Sequence, residues 1–325
     1  MKAVICREFG PLDKLVWGEM PAPACGPRQV RFRTTVATVG FMDQLMVRGL
    51  YQHKPALPFV PGSVSAGVVT EVGPEVTLVR PGQLVSGSDY GGAYAEERVV
   101  GEADLELVPQ GMDELQAAAL RLTFVPSYLA LVERAHLQPG ETLVVTGATG
   151  GIGFAAMQLG RHLGARVIGA VGSAEKAAFL KQQGFEETID YSSENFKDRV
   201  NELTKALGAD VIFDVIGGEI FEQSLRCINV GGRLLVLGFT SGRIPNIPAN
   251  LPLLKNAAII GSFLGGWRRR HPEGFAAINK AIRRILAETG MRTPIARTLP
   301  MTEAAQALQM LVERKAIGVV ALTPG

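Results

Sequence analysis

The chain has 325 residues, enough for two domains with cores of their own, and a formal net charge of +2, too small to single out nucleic acid or a membrane surface as partner. Its three cysteines, Cys6, Cys25 and Cys227, are scattered and odd in number, which argues against a disulfide framework and lacks the close spacing of a zinc site. No run of about 20 apolar residues occurs, and Arg7 and Glu8 precede any signal-type segment, so a cytoplasmic protein is expected, with no membrane or nucleic-acid partner.

In chain order, roughly the first 115 residues read as turn-rich β structure. The segments Val30 to Val36, Gly67 to Val72 and Gln83 to Ser86 are short and apolar, separated by prolines and glycines, with one short helix near Asp43 to Val47. The pattern predicts helices over Asp113 to Leu120, with Asp113 as N-cap, and over Pro126 to Ala135. Then comes TLVVTGATGGIGFAAMQLGRHLG, Thr142 to Gly164: a β-branched run, a glycine turn with Gly147, Gly150 and Gly153 spaced by three, and apolar residues at helical spacing. This is the strand, turn and helix that present free first-turn N–H groups to a pyrophosphate, with Gly150 and Gly151 in the turn and Ile152 and Gly153 opening the helix.

Downstream, strands are expected at Arg166 to Val171, Val211 to Val215, Arg233 to Leu237 and Ala258 to Phe263, with a third strand starting at Thr188 to Asp190. Helices at Glu175 to Gln183, Ser193 to Leu207 and Ile220 to Cys227 alternate with them, the rhythm of a doubly wound parallel sheet. A helix Glu273 to Thr289 leads away, and the tail returns to short strands around a helix at Glu303 to Arg314, which would complete the first domain. The expected division is 1–120, completed by 268–325, and 121–267.

The second strand of a dinucleotide fold usually ends near an acid that binds the ribose hydroxyls. Here Val171 is followed by Gly172-Ser173-Ala174-Glu175-Lys176, which leaves room for a 2′-phosphate and offers it a hydroxyl and an ammonium. Tyr191 adds a phenol near the same place, so NADP(H) is the expected cofactor. The basic run Arg268-Arg269-Arg270 reads either as a solvated loop or as a contact to a cofactor phosphate.

The order of these parts, and the segments MKAVICREFGPLDKL, DQLMVRGLYQ, LPFVPGSVSAGVVTEVGPEV, LVERAHLQPGETLVVTGATGGIG and GGRLLVLGFTSGRIPNIPANLPLL, resemble the zinc-free quinone oxidoreductases, the ζ-crystallin-like branch of the medium-chain dehydrogenase/reductases. The resemblance covers almost the whole chain. It implies an α/β protein with a GroES-like irregular β-barrel catalytic domain and a Rossmann domain. The matched zinc-ligand positions of the wider superfamily are Gly40 and Ser63-Val64, and its four-cysteine lobe is missing, so no metal is expected. Cofactor contacts implied by matching position are Ile152 and Gly153, then Gly172, Ser173 and Lys176 with Tyr191. Further contacts are Gly238, Phe239 and Ser241, Phe263, Leu264 and Gly265 near the nicotinamide, and Arg314; Tyr128 is one more. Tyr51 matches a tyrosine of the substrate cleft in related reductases, and is the candidate catalytic residue.

The chain departs from the family text at Gly40, at Val64 and at Val125-Pro126-Ser127, beside the expected reacting centre. The implied activity is hydride transfer from NADPH to a quinone-type small-molecule acceptor, which needs no strong general acid. Reduction of an activated C=C bond in an enone or enoyl thioester is the enzymatic alternative, with a phenol such as Tyr51 or a water delivering the proton and His53 assisting. A non-catalytic NADPH-binding protein is the second alternative. The apolar strand Ala258 to Phe263 at the expected sheet edge suggests a homodimer.

Overall fold

The computed structural model describes residues 1–325, which form two compact units. One is Met1–Leu122 with Thr293–Gly325; the other is Thr123–Arg292.

The first unit opens with an antiparallel pair, β1 (Lys2–Ile5) and β2 (Val16–Glu19). Then come β3 (Gln29–Val39), α1 (Phe41–Val47), β4 (Val64–Val72), β5 (Leu84–Ser88), β6 (Glu97–Gly101) and β7 (Leu105–Leu107). β3 is the organising strand. Val30, Phe32, Thr34 and Val36 turn inward and Arg31 and Arg33 outward, the alternation that buries one face of a sheet. Phe32 packs with Val69, Val85, Val100 and Leu105.

α2 (Glu114–Tyr128) follows, with Pro126 inside it, and runs into a π-helical turn at Leu129–Arg134. Two helices divided before Pro126 were expected, because proline removes an N–H and crowds the preceding turn. The observed helix is continuous. Phe124, Val125, Leu129, Ala130 and Leu131 are all buried, and that burial outweighs the hydrogen bond the proline cannot make. The whole helix Glu114–Arg134 is long and apolar enough to cross a membrane by those criteria alone, but most of its apolar stretch is buried within the protein.

The second unit is a six-stranded parallel sheet built from β8 (Thr142–Thr146), α3 (Gly151–His162), β9 (Arg166–Val171), α4 (Ala174–Gln182), β10 (Thr188–Asp190), α5 (Phe196–Leu203), β11 (Ala209–Asp214), α6 (Gly218–Cys227), β12 (Ile228–Val236), α7 (Asn250–Lys255), β13 (Ala258–Gly261), α8 (Leu264–Arg270) and α9 (Pro272–Thr289). Strand order is β10-β9-β8-β11-β12-β13, the doubly wound order whose direction of winding reverses between β8 and β11. The short helices α7 and α8 are absent from the sequence reading, since each spans less than two turns of weak pattern.

The chain then returns to the first unit through β14 (Ile295–Pro300), α10 (Ala304–Val312) and β15 (Val319–Thr323). β15 pairs with β14 in parallel and with β3 antiparallel, giving the order β14-β15-β3-β4-β5-β7 with β6 also on β3. The division at Arg292 differs from the expected 267. The apolar stripe Phe275, Ile278, Ile282 and Ile285 of α9 is buried, and Gln158 of α3 donates to the Arg292 carbonyl at 3.0 Å, so α8 and α9 stay with the parallel sheet.

Candidate active site

In a doubly wound sheet the strands' carboxyl ends share one edge, and ligands bind outside it at the reversal of strand order. Gly150, Gly151, Ile152 and Gly153 follow β8; Gly172, Ser173 and Lys176 follow β9; and Tyr191 follows β10. Gly238, Phe239 and Ser241 follow β12, and Phe263, Leu264 and Gly265 follow β13. All of these therefore gather on one edge of the sheet.

At the centre of that edge the glycines are sterically required. Gly147 has φ +62°, and a Cβ on Gly153 would lie 2.3 Å from the Gly147 carbonyl oxygen. Helix α3 can therefore start against the turn. Its N-cap is Gly150, which has no side chain to occupy the first-turn N–H groups. A Cβ on Gly150 would meet nothing nearer than 3.4 Å, so the face of the turn is open to a phosphate.

The turn is held from the side by Asp214, fully buried at the end of β11. It accepts from the Thr146 hydroxyl at 2.6 Å and from the backbone N–H groups of Ile216 at 3.3 Å and Gly217 at 2.8 Å. Burial raises its carboxyl pKa, and the three donors pull it back down. The signal for this residue was present in the sequence: one acid closing the apolar run Val211-Ile-Phe-Asp214. Gly217 and Gly218, at φ +71° and +55°, let the next loop lie against Phe239 and Ser241, whose N–H donates to the Ile216 carbonyl at 2.9 Å.

On the other side, a Cβ on Gly172 would sit 3.0 Å from the Tyr191 ring, so the ends of β9 and β10 are in contact. Ser173 is the N-cap of α4, its Oγ accepting from the Lys176 N–H at 3.3 Å. The hydroxyl proton remains available to an acceptor. The acid at the end of β10, Asp190, is engaged by Ser192 through its N–H at 3.0 Å and its hydroxyl at 2.6 Å.

Tyr128 ends α2 next to Ser127, whose hydroxyl lies 2.7 Å from the Thr123 carbonyl and 2.9 Å from that of Ile152 in the first turn of α3. Burial raises the Tyr128 phenol pKa, with Glu133 adding to the rise and Arg284 opposing it. In the sequence Ser127 stands out only as a departure from the family pattern; its partner Ile152 lies 25 residues on, beyond any local signal.

Tyr51 and Arg314 lie in the first unit. Tyr51 stands in an aromatic group with Tyr90, ring centroids 6.4 Å apart, and His53 lies 4.8 Å from Tyr90. Arg314 follows α10 with φ +54°. Gly40 opens α1, where Asp43 accepts from the Gly40 N–H at 2.8 Å and from the Tyr94 hydroxyl at 2.8 Å. Asp43 is fully buried, and burial pushes its pKa up to about 6 against the pull of these donors and of Arg98. Arg98, also fully buried, donates to Ser65 Oγ and to the carbonyls of Gly87, Ser63 and Gly91. A Cβ on Gly40 would meet Asp43 Oδ2 at 3.2 Å and Ser63 Oγ at 3.6 Å. No three His, Cys, Asp or Glu side chains are grouped to hold a metal ion. Cys227 is buried, which pushes its thiol pKa up to about 12 and removes it as a nucleophile at neutral pH.

Residues 26–110 match the alcohol dehydrogenase GroES-like domain, and residues 151–281 match the family described as zinc-binding dehydrogenase. The chain is 38% identical to a quinone oxidoreductase-like protein 2 homolog of Nematostella vectensis, over 99% of this chain and 88% of that one. It is 32% identical to a 2-haloacrylate reductase of a Burkholderia species, over 100% and 99%. Among solved structures it resembles Escherichia coli quinone oxidoreductase complexed with NADPH, at 25% identity, TM-score 0.93 and full coverage of both chains.

Proposed function

The chain belongs to the quinone oxidoreductase-like branch of the medium-chain dehydrogenase/reductases and is an oxidoreductase; from that premise we propose that it carries hydride from NADPH to a quinone-type acceptor without a metal. The observation that carries the cofactor choice is the end of β9. Gly172 contributes no carboxylate, Ser173 Oγ accepts the capping N–H of Lys176 and keeps its own proton to donate, Lys176 stands in the first turn of α4, and Tyr191 lies against Gly172. That is a set of donors for a phosphate rather than an acceptor for ribose hydroxyls. The E. coli neighbour in complex with NADPH supports the same choice.

The family description names zinc, and the residues here do not fit it. Gly40 has no ligand atom, Asp43 and Ser63 close the space around it, and no metal-binding group of side chains is assembled.

Bound NADPH supplies the hydride; the protein supplies a fixed seat and a selected charge. The bare turn at Gly150 and the uncapped start of α3 would hold the pyrophosphate. Asp214 keeps that turn rigid through Thr146. Phe263, Leu264 and Gly265 stand on the half of the sheet, β11 to β13, that takes the nicotinamide nucleoside in this fold. A quinone is an electron-poor acceptor whose reduced oxygens take protons from water, so no strong acid is required of the chain.

The second reading is reduction of an activated C=C bond, favoured by the 2-haloacrylate reductase relative. It would need a proton at carbon, for which Tyr51 is the proposed donor. Following NADPH and NADH oxidation with 1,4-quinones and, separately, with enones and 2-haloacrylate tests both. Turnover of quinones with NADPH preferred is expected; turnover of the unsaturated acids or ketones alone overturns the quinone assignment.

The sheet edge supports a homodimer. β13 has no neighbour on its outer side, and elsewhere on the surface of the same unit Ile244, Leu253 and Leu254 are 73%, 74% and 72% exposed.

A further inference from the structure

Beyond the carboxyl end of β13, α8 carries an open pocket of about 580 Å³. Its lining includes Arg134, Arg269, Arg270 and His271, the rings of Phe263 and Trp267, and no carboxylate. Neither Glu133 nor Glu273, the acids next in sequence, is part of the wall.

The aromatic part is set by glycines. A Cβ on Gly266 would come 2.7 Å from the Phe263 ring, and one on Gly274 would come 2.8 Å from the Trp267 ring. An edge of each ring therefore lies against glycine backbone, where a side chain would collide with it. Phe263 is 47% exposed, and Trp267 is tilted against His271 with centroids 5.1 Å apart. The Arg134 side chain donates to the Gly261 carbonyl at 3.2 Å, which places its guanidinium at the end of the edge strand. Arg268 is turned aside, over the ring of Phe275.

Two flat apolar faces beside several guanidinium groups suit a planar conjugated molecule that carries an anion. We infer that this pocket selects acceptors whose reducible, planar part bears a carboxylate, sulfonate or phosphate group, with Phe263 and Trp267 against the plane and Arg134 and Arg270 on the anion. The inference deepens the proposed function and rests on it for the position of the nicotinamide beside Phe263.

Trp267 makes the test direct, because the chain has only one other tryptophan, Trp17. In a Trp17→Phe background loaded with NADP⁺, quenching of Trp267 fluorescence measures binding of 1,4-naphthoquinone-2-sulfonate and of 1,4-naphthoquinone. The sulfonate is expected to bind about tenfold tighter than the neutral quinone, as one charge-assisted contact allows. The preference should shrink in Arg270→Gln, return in Arg270→Lys, weaken with added salt, and persist in Arg226→Gln on the remote helix α6. Equal affinity for the two probes, or a preference untouched by Arg270→Gln, overturns the inference. Binding preference without NADPH oxidation on any probe would overturn the proposed reaction and leave the anion site standing.

Discussion

Thr146 donates its hydroxyl to Asp214 at 2.6 Å, joining the ends of the two central strands β8 and β11 where the direction of winding reverses. The same carboxylate receives the N–H groups of Ile216 and Gly217, so one buried side chain shapes the loops on both sides of the reversal. Replacing Asp214 by Ala leaves buried donors unpaired, and the expected loss is about 2–5 kcal/mol of stability with weaker NADPH binding. Asp214→Asn, which keeps an acceptor, should cost less. Urea unfolding and NADPH titration check both.

Ser173 and Lys176 divide the work at the end of β9. Ser173→Ala removes the α4 cap and should cost about 1 kcal/mol of stability together with some NADPH affinity. Lys176→Ala removes charge without touching the cap. Its dissociation constant for NADPH should rise about tenfold or more while that for NADH barely moves. Equal weakening for both cofactors would place Lys176 away from the phosphate.

Asp43 makes stability depend on pH. Its pKa is raised in the folded chain, from 3.8 to about 6, so between those values the folded state holds a proton that the unfolded state has released. The residue's favourable contribution is complete below 3.8 and is lost as pH rises through 6, a change on the order of 3 kcal/mol. Comparing urea unfolding of the wild type and Asp43→Asn at about pH 4 and about pH 7 isolates it. The wild type should lose that much more than the variant over the interval.

Ser127 ties α2 to the first turn of α3. Its hydroxyl reaches the Thr123 carbonyl one turn back and the Ile152 carbonyl in α3, coupling the proline-containing helix to the glycine turn. Ser127→Ala is expected to cost about 1–2 kcal/mol and to loosen NADPH binding modestly. Thermal unfolding with and without NADPH measures both effects.

The exposed apolar surface of the parallel-sheet unit gives a test of assembly. Two added negative charges, Leu253→Glu with Leu254→Glu, on a helix that buries neither residue within the chain, should convert a dimer to monomers by light scattering with little change in unfolding free energy. A monomeric wild type would end the proposal.

Much of the parallel-sheet unit could be read in advance, because its signals are local. Arg166–Val171 is bounded as its pattern predicts, and Gly147, Gly150 and Gly153 declare strand, turn and helix within seven residues. The missing acid after Val171 is equally a matter of a few neighbours. What lay beyond reach depends on partners far along the chain. Pro126 reads as a breaker until the burial of Phe124, Val125 and Leu129 outweighs the lost hydrogen bond. Asp214 gains its role from Thr146, 68 residues away, and Asp43 becomes a weaker acid because the folded chain buries it, with Tyr94 and Arg98 only partly offsetting that burial. Local composition thus determined most strands, turns and helices of the parallel sheet and what kind of nucleotide they suit. Only the tertiary structure decided which polar groups are withdrawn from water, and burial in a low-dielectric interior is what converts an ordinary carboxylate or arginine into a structural or selective one.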